Sequence, residues 1–323
     1  MLAANGAARG GGGGAAAAAP PQRPATGGPA GALLQALLAR ERALDWAFVI
    51  AGVIVLSAAD AAKPQTPYLL KAHLSDIAKP LLPNSVPSWS VPVIALALPL
   101  AALAAGHAAA RGLGLGGPRG REELHRAVLG LVAGVVVTGC VTNILKVSVH
   151  RPRPNFLAQC FPGGGDPVWQ RQDAWGGVPE CTAQVPDAAK SFPSGHSSWS
   201  AAGLGYLSWA LADALQPFDG GGHVWRLVAA LLPLLGACLV GVTRVTDGWH
   251  NPSDVAAGLL LGFGLSWLSF ACVRRQPQPQ RGGGFGSGGA GDEEAGLFVQ
   301  PLLRGATGSS SAQRLAPAAL LPL

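Results

Sequence analysis

Six apolar segments, at 44–62, 91–110, 126–148, 198–215, 226–246 and 253–273, constrain what this chain can fold into. Each is close to the roughly 20 residues that an α-helix needs to cross about 30 Å of hydrocarbon. Lipid offers the backbone no hydrogen-bond partner, so each crossing must be a helix that satisfies its own N–H and C=O groups. The cleanest segment contains VLGLVAGVVVTGCVTNIL, Val128 to Leu145; the first and fourth are interrupted near their ends by Asp60 and Asp213. Short apolar runs also fit a buried helix, so one of the six need not cross. With 49% hydrophobic and 12% charged residues, the 323-residue chain lies outside the range of soluble domains. The expectation is an all-α integral membrane bundle of about six transmembrane helices over 44–273, with close packing at small residues such as Gly130, Gly134, Ala201 and Gly203. The Gly/Ala/Pro-rich stretches 1–43 and 274–323 have little to bury and read as disordered tails.

With six crossings, the ends of segments one, three and five and the starts of two, four and six share one face. Three polar clusters fall there. In KVSVHRPRPNF, Lys146 precedes Arg153, and Pro152 and Pro154 end the helix and stiffen the chain. Guanidinium suits forked bonding of phosphate oxygens and lysine supplies a point charge, although a lone lysine at a span end commonly just snorkels to the headgroups. In SFPSGHSSWS, Ser194 and Gly195 open the fourth segment, where unpaired first-turn N–H groups and the helix dipole favour an anion. Taken alone, that stretch is better explained by a plain serine N-cap beside a surface histidine. In GVTRVTDGWHNPSD, Asn251 and Pro252 read as the N-cap and first residue of segment six, placing His250 before the helix and Asp254 in its first turn. A carboxylate there can fix the imidazole tautomer, or the two can be an ordinary cap pair.

Together, Lys146 with Arg153 and Pro154, then Pro193, Ser194, Gly195 and His196, then Arg244, His250 and Asp254 follow the pattern K-x6-R-P, P-S-G-H, S-R-x5-H-x3-D. The chain therefore resembles the type 2 phosphatidic acid phosphatase (PAP2) superfamily over residues 44–273, and within it the lipid phosphate phosphatases and diacylglycerol pyrophosphate phosphatases. The resemblance implies that Lys146, Arg153, Arg244, Ser194 and Gly195 bind phosphate, that His250 attacks phosphorus while Asp254 orients it, and that His196 protonates the leaving group and then activates water. It implies a charged His196 and a neutral His250 at the start, and hydrolysis of phosphatidate, diacylglycerol pyrophosphate or lysophosphatidate through a phosphohistidine. No metal or other cofactor is required by this scheme. Two positions depart from the pattern: Thr243 stands where it has serine, and His150 where close relatives often have glycine.

Cys140, Cys238 and Cys272 lie in apolar segments and read as packing residues. Cys160 and Cys181 share the loop between segments three and four and can pair if that face is lumenal or extracellular. Setting aside Lys146, Arg153 and Arg244, six basic residues lie on the site face and ten on the other, a positive-inside bias that puts both tails in the cytosol. The expected partners are the bilayer and a phosphorylated lipid, with no nucleic-acid motif present, and the spans are compatible with a homo-oligomer in an endomembrane or the plasma membrane. Competing assignments are a phosphatase of isoprenoid diphosphates, sphingoid phosphates or sugar phosphates, and a catalytically silent lipid-phosphate binder.

Overall fold

The computed structural model describes residues 29–114, 120–165, 167–183 and 186–274. The chain divides into two units, Met1–Trp46 and Ala47–Leu323. The described part of the first unit is the N-terminal part of helix α1 (Pro29–Ala61), so residues 29–43, expected as tail, are helical. The rest of the expected tails, apart from Arg274, falls outside the described residues.

The second unit continues α1 and then runs through a short strand β1 (Leu69–Leu70) and a 3-10 turn (Lys71–Ile77). Helices α2 (Ser90–Pro92) and α3 (Leu98–Gly112) are joined without a break by a π-helical turn (Val93–Ala97). Pro99 lacks the N–H that would bond one turn back, and the widened turn just ahead of it accommodates the missing bond. There follow α4 (Gly120–Val149), the short α5 (Phe156–Cys160), strands β2 (Trp169–Gln172) and β3 (Gly176–Pro179), and α6 (Gly195–Leu215), α7 (Val224–Thr246) and α8 (Pro252–Val273).

Among the described residues, five helices are long and apolar enough to cross a membrane: Arg40–Ala61, Ser90–Gly112, Gly120–Val149, Val224–Thr246 and Pro252–Val273. They match five of the six expected segments. The remaining segment, 198–215, forms most of α6, which is richer in Ser, Gly and Ala and is the helix that α4, α7 and α8 pack around. Its residues from Ser197 to Ser208 are almost all buried by protein, so the lipid-compatible surface that marks the other five is not needed. Ala95, Leu131, Val135, Ala202 and Tyr206 form the apolar centre. The outer face is apolar as well, with Phe48, Ile54, Leu239 and Leu260 exposed.

The small residues set how closely the helices approach. A Cβ at Gly258 of α8 would stand 2.7 Å from the Ser194 carbonyl oxygen, and this close approach lets the Ser194 N–H donate to the Asp254 carbonyl oxygen at 3.0 Å. The junction thus seats the start of α6 on the start of α8.

On the same side, the loops build a second small core that hydropathy did not foreshadow. Leu69, Ile77, Phe156, Cys160, Phe161, Ala188 and Ala189 are buried together, under a three-stranded antiparallel sheet of order β1-β3-β2. Leu69 pairs with Gly177, which in turn pairs with Gln172. The β2–β3 turn is closed by Asp173, whose Oδ1 accepts from the Trp175 and Gly176 N–H groups at 2.8 and 3.0 Å. Cys160 and Cys181 form a disulfide at the edge of this core.

His150 receives its explanation here. It follows the last residue of α4 with φ +51°, the left-handed region, which glycine enters freely and other residues enter at a cost. His150→Gly is expected to stabilise the fold by about 0.5–1 kcal/mol, the left-handed penalty less the extra entropy of glycine. Thermal melting in detergent micelles reads this as a raised Tm. In the same assay Gly258→Ala is expected to lower Tm, a loss of about 1–3 kcal/mol from overpacking. Gly264→Ala, where a Cβ meets nothing within 4 Å, serves as the tolerant control.

Candidate active site

Four helix ends meet at the small loop core, and the eight residues singled out in the sequence lie on or beside them. Lys146 comes from the last turn of α4, Arg153 from the loop after it, Ser194, Gly195 and His196 from the start of α6, Arg244 from the last turn of α7, and His250 and Asp254 from the approach to α8 and its first turn. Electrostatic coupling links His196 to Arg244, Lys146 and Arg153, and His250 to Arg153, Lys146 and Asp254.

The start of α8 follows from local sequence. Asn251 and Asp254 form a capping box: the Asn251 side chain accepts from the Asp254 N–H, and Asp254 Oδ2 accepts from the Asn251 N–H at 2.9 Å, with Pro252 in the first turn. Asp254 is fully buried, and its carboxylate is satisfied from two further directions. Arg151 Nη1 donates to Oδ1 at 2.6 Å and Ser191 Oγ donates to Oδ2 at 2.7 Å, while His250 Nδ1 stands 3.7 Å from Oδ2, beyond hydrogen-bond range. Direct orientation of His250 by Asp254, expected from the sequence, is therefore not the observed contact. Ser191 Oγ lies closer, 3.4 Å from Nδ1.

His250 is 2% exposed, and its Nε2 forms no hydrogen bond with the described residues. Burial holds its pKa well below the usual imidazole range, Asp254 opposing the shift and Arg153 and Lys146 adding to it, so the ring is neutral. His196 lies two residues ahead of the apolar stretch 198–215. Its Nε2 is 3.1 Å from the Val86 carbonyl oxygen, which can only accept, so Nε2 carries a hydrogen. Burial first, then Arg244, push its pKa down to about 4. The lowered pKa favours a neutral ring, where the sequence led us to expect a charged one at the start of the reaction; burial is the larger cause and the surrounding cations the smaller.

The three cations differ in what they have left to offer. Arg244 is 1% exposed and gives its Nε–H and an Nη2–H to Thr243 Oγ1 at 3.1 and 3.0 Å, an Nη1–H to Asn84 Oδ1 at 2.7 Å and an Nη2–H to Asp247 Oδ2 at 2.8 Å. Asp247 is held in turn by the Ser85 N–H and hydroxyl. One of the five guanidinium hydrogens remains for a ligand. The Thr243 hydroxyl holds that guanidinium, a task serine would perform as well. Arg153 donates Nε–H to the Asp187 carbonyl oxygen at 2.8 Å and lies over the Trp249 ring at 5.2 Å. Its two terminal nitrogens make no hydrogen bond with described residues. Burial pushes its pKa down to about 10, which leaves it charged at neutral pH. Lys146 Nζ has no hydrogen-bond partner among the described residues, and a Cβ at Gly195 would come within 3.2 Å of it.

Lys146 and Arg153 line a small polar pocket of about 60 Å³ together with Ala59, Asp60, Asn143, Asp187 and Lys190. That is well below the size of drug-sized ligand sites. His196, His250 and Arg244 are not part of its lining. Sequence reasoning missed Ser191, the Arg151 ion pair to Asp254 and the Asn84, Ser85 and Asp247 support of Arg244. Asp247 lies only three residues from Arg244, but no spacing rule links the other partners, which are 59 to 162 residues apart. Among the described residues, no cluster of three or more His, Cys, Asp or Glu side chains is placed to hold a metal ion.

The sequence has counterparts among known proteins. Residues 127–278 match the family model described as the PAP2 superfamily. Lipid phosphate phosphatase 1 of Arabidopsis thaliana is 38% identical over 246 residues, 75% of this chain and 70% of that protein. Lipid phosphate phosphatase 2 of the same plant is 36% identical over 77% of this chain and 82% of its own length. Diacylglycerol pyrophosphate phosphatase 1 of Saccharomyces cerevisiae is 37% identical over 147 residues, 43% of this chain and 49% of that protein. No solved structure matches at a significant level. With apolar helices framing the three sequence clusters at one end, and relatives matched over three quarters of its length, the chain belongs to the PAP2 superfamily.

Proposed function

We propose that the protein is a lipid phosphate phosphatase that hydrolyses phosphatidate, and the related diacylglycerol pyrophosphate and lysophosphatidate, without a metal. The observation that carries this is the gathering of Lys146, Arg153 and Arg244 around His196 and His250, with the Asp254 carboxylate behind. The names of the plant and yeast relatives support the lipid substrate. So do the small polar pocket beside Lys146 and Arg153 and the apolar flanks of the bundle, which leave acyl chains in the bilayer.

In this scheme Lys146 and Arg153, whose donors are free, take the phosphate oxygens first, with Ser194, the Gly195 N–H and the last Arg244 hydrogen completing the cradle. The charge that a divalent cation would otherwise bring is supplied by the three side chains. Neutral His250 attacks phosphorus through Nε2, and the bond from phosphorus to the leaving oxygen breaks. His196, which takes up a proton on Nδ1 as the phosphate docks and keeps its Nε2–H on the Val86 carbonyl oxygen, gives the Nδ1 proton to the leaving oxygen, releasing diacylglycerol. It then takes a proton from water, whose oxygen attacks the phosphohistidine; the P–N bond breaks and phosphate leaves. The pairing of Cys160 with Cys181 on the site face, together with the positive-inside bias, supports a lumenal or extracellular site with cytosolic tails.

Purified full-length protein in detergent, assayed for phosphate release from the three lipids and an isoprenoid diphosphate, tests the assignment. His250→Ala is expected to lose ~10³-fold or more, the scale of a lost nucleophile, and wild-type release is expected to continue in excess EDTA. Full activity in His250→Ala, abolition by EDTA, or turnover of the isoprenoid alone would each overturn it.

The pH dependence follows from the same charges. A docked phosphate offsets Lys146, Arg153 and Arg244, removing the share of the lowering that these cations add while the larger share from burial stays; the pKa of His196 rises in the complex. Proton donation is lost as pH rises through that value, so the alkaline limb of kcat is expected at higher pH than that of kcat/KM, which reports the free enzyme. The lowered pKa of His250 keeps the attacking nitrogen unprotonated well below the usual imidazole range. Coincident alkaline limbs in the two profiles would refute this account of His196.

A further inference from the structure

Asp254 and His250 are too far apart for a direct bond, and one hydroxyl stands between them. Ser191 Oγ is 2.7 Å from Asp254 Oδ2 and 3.4 Å from His250 Nδ1, and its side chain is fully buried. The backbone fixes it there independently of either partner, since the Ser191 N–H donates to the Arg151 carbonyl oxygen at 3.0 Å. Hydrogen bookkeeping then determines the direction of the chain. Asp254 Oδ1 accepts from Arg151, and Oδ2 accepts from the Asn251 N–H, so the carboxylate is acting as an ionised acceptor. The single hydroxyl hydrogen of Ser191 must point to Oδ2, which leaves an oxygen lone pair facing Nδ1. Nδ1 therefore carries the imidazole hydrogen and donates it to Ser191, and Nε2 keeps its lone pair.

We propose that Ser191 is the positioning residue that couples Asp254 to His250 and selects the tautomer with a free Nε2. It rests on the assignment of His250 as nucleophile. As Nε2 bonds to phosphorus the ring becomes positively charged, and Nδ1–H strengthens its bond to Ser191, whose own hydrogen stays on Asp254; no proton leaves the ring. Arg151 belongs to the same device. It occupies Oδ1 and Ser253 Oγ, which keeps the carboxylate turned so that Oδ2 faces Ser191.

The test compares wild type, Ser191→Ala, Ser191→Thr, Ser191→Cys and His250→Ala as full-length proteins in detergent. Phosphatidate is the substrate, and single-turnover phosphoenzyme formation is followed beside steady-state kinetics. Ser191→Ala is expected to lower kcat and the rate of phosphoenzyme formation roughly tenfold to hundredfold, the scale of losing a partner that orients a reactive group. KM stays within about twofold, because ground-state phosphate binding is untouched. Threonine, which keeps the hydroxyl, restores most of the rate. Cysteine, a weaker donor of similar size that should fold even if alanine does not, behaves like alanine. Near-wild-type phosphoenzyme formation in Ser191→Ala or Ser191→Cys, with His250→Ala inactive, would overturn the role of Ser191 alone. Equal losses in Ala, Cys and Thr, again with inactive His250→Ala, would reduce Ser191 to packing. Activity in His250→Ala would instead remove the nucleophile assignment beneath it.

Discussion

A single carboxylate, Asp254, has no exposed surface, and the site end of the bundle is organised around satisfying it. An ionised group in such surroundings is costly unless every lone pair finds a donor. Its donors come from three places: Arg151 after α4, Ser191 ahead of α6, and Asn251 at the head of α8. Its own backbone carbonyl receives the Ser194 N–H. Satisfying one charge therefore fixes where three chain segments converge, and His250 is fixed with them.

A second buried network has the opposite sign. Arg244 is enclosed by Thr243, Asn84 and Asp247, and Asp247 by Ser85. Both networks tie a helix end to a loop that precedes or follows a different helix. The loops are thereby ordered by electrostatics as much as by the small apolar core beneath the sheet. Lys146 and Arg153 escape such pairing at their terminal nitrogens, which is what leaves them available to an incoming anion.

The sequence made the helices legible wherever lipid is the neighbour, because solvation by hydrocarbon demands a continuous apolar run. It was least informative at α6, where protein surrounds the helix and serine or glycine serves better than leucine. The cap of α8 was readable from Asn251, Pro252 and Asp254, since capping is local chemistry. Ser191 and the Arg244 supports were not, because their partners lie 59 to 162 residues away and meet only through folding. The sheet was hidden for a similar reason: its strands are two to four residues long and carry no alternation to detect. The lowered pKa of His196 was not foreseen from sequence because residue type reveals neither its burial nor its three neighbouring cations. His150, opaque as a letter, became intelligible once its backbone angle was known.

The disulfide has a consequence for how the chain can be inserted. Cys160 belongs to the same small core as Ala188, whose carbonyl oxygen receives the Arg153 N–H, and Asp187 beside it receives the Arg153 side chain. The covalent bridge thus braces the segment that holds the Arg153 guanidinium. Thiols persist in a reducing compartment and disulfides in an oxidising one. Whichever side of the bilayer this loop reaches therefore decides whether the brace can form, independently of how the helices pack.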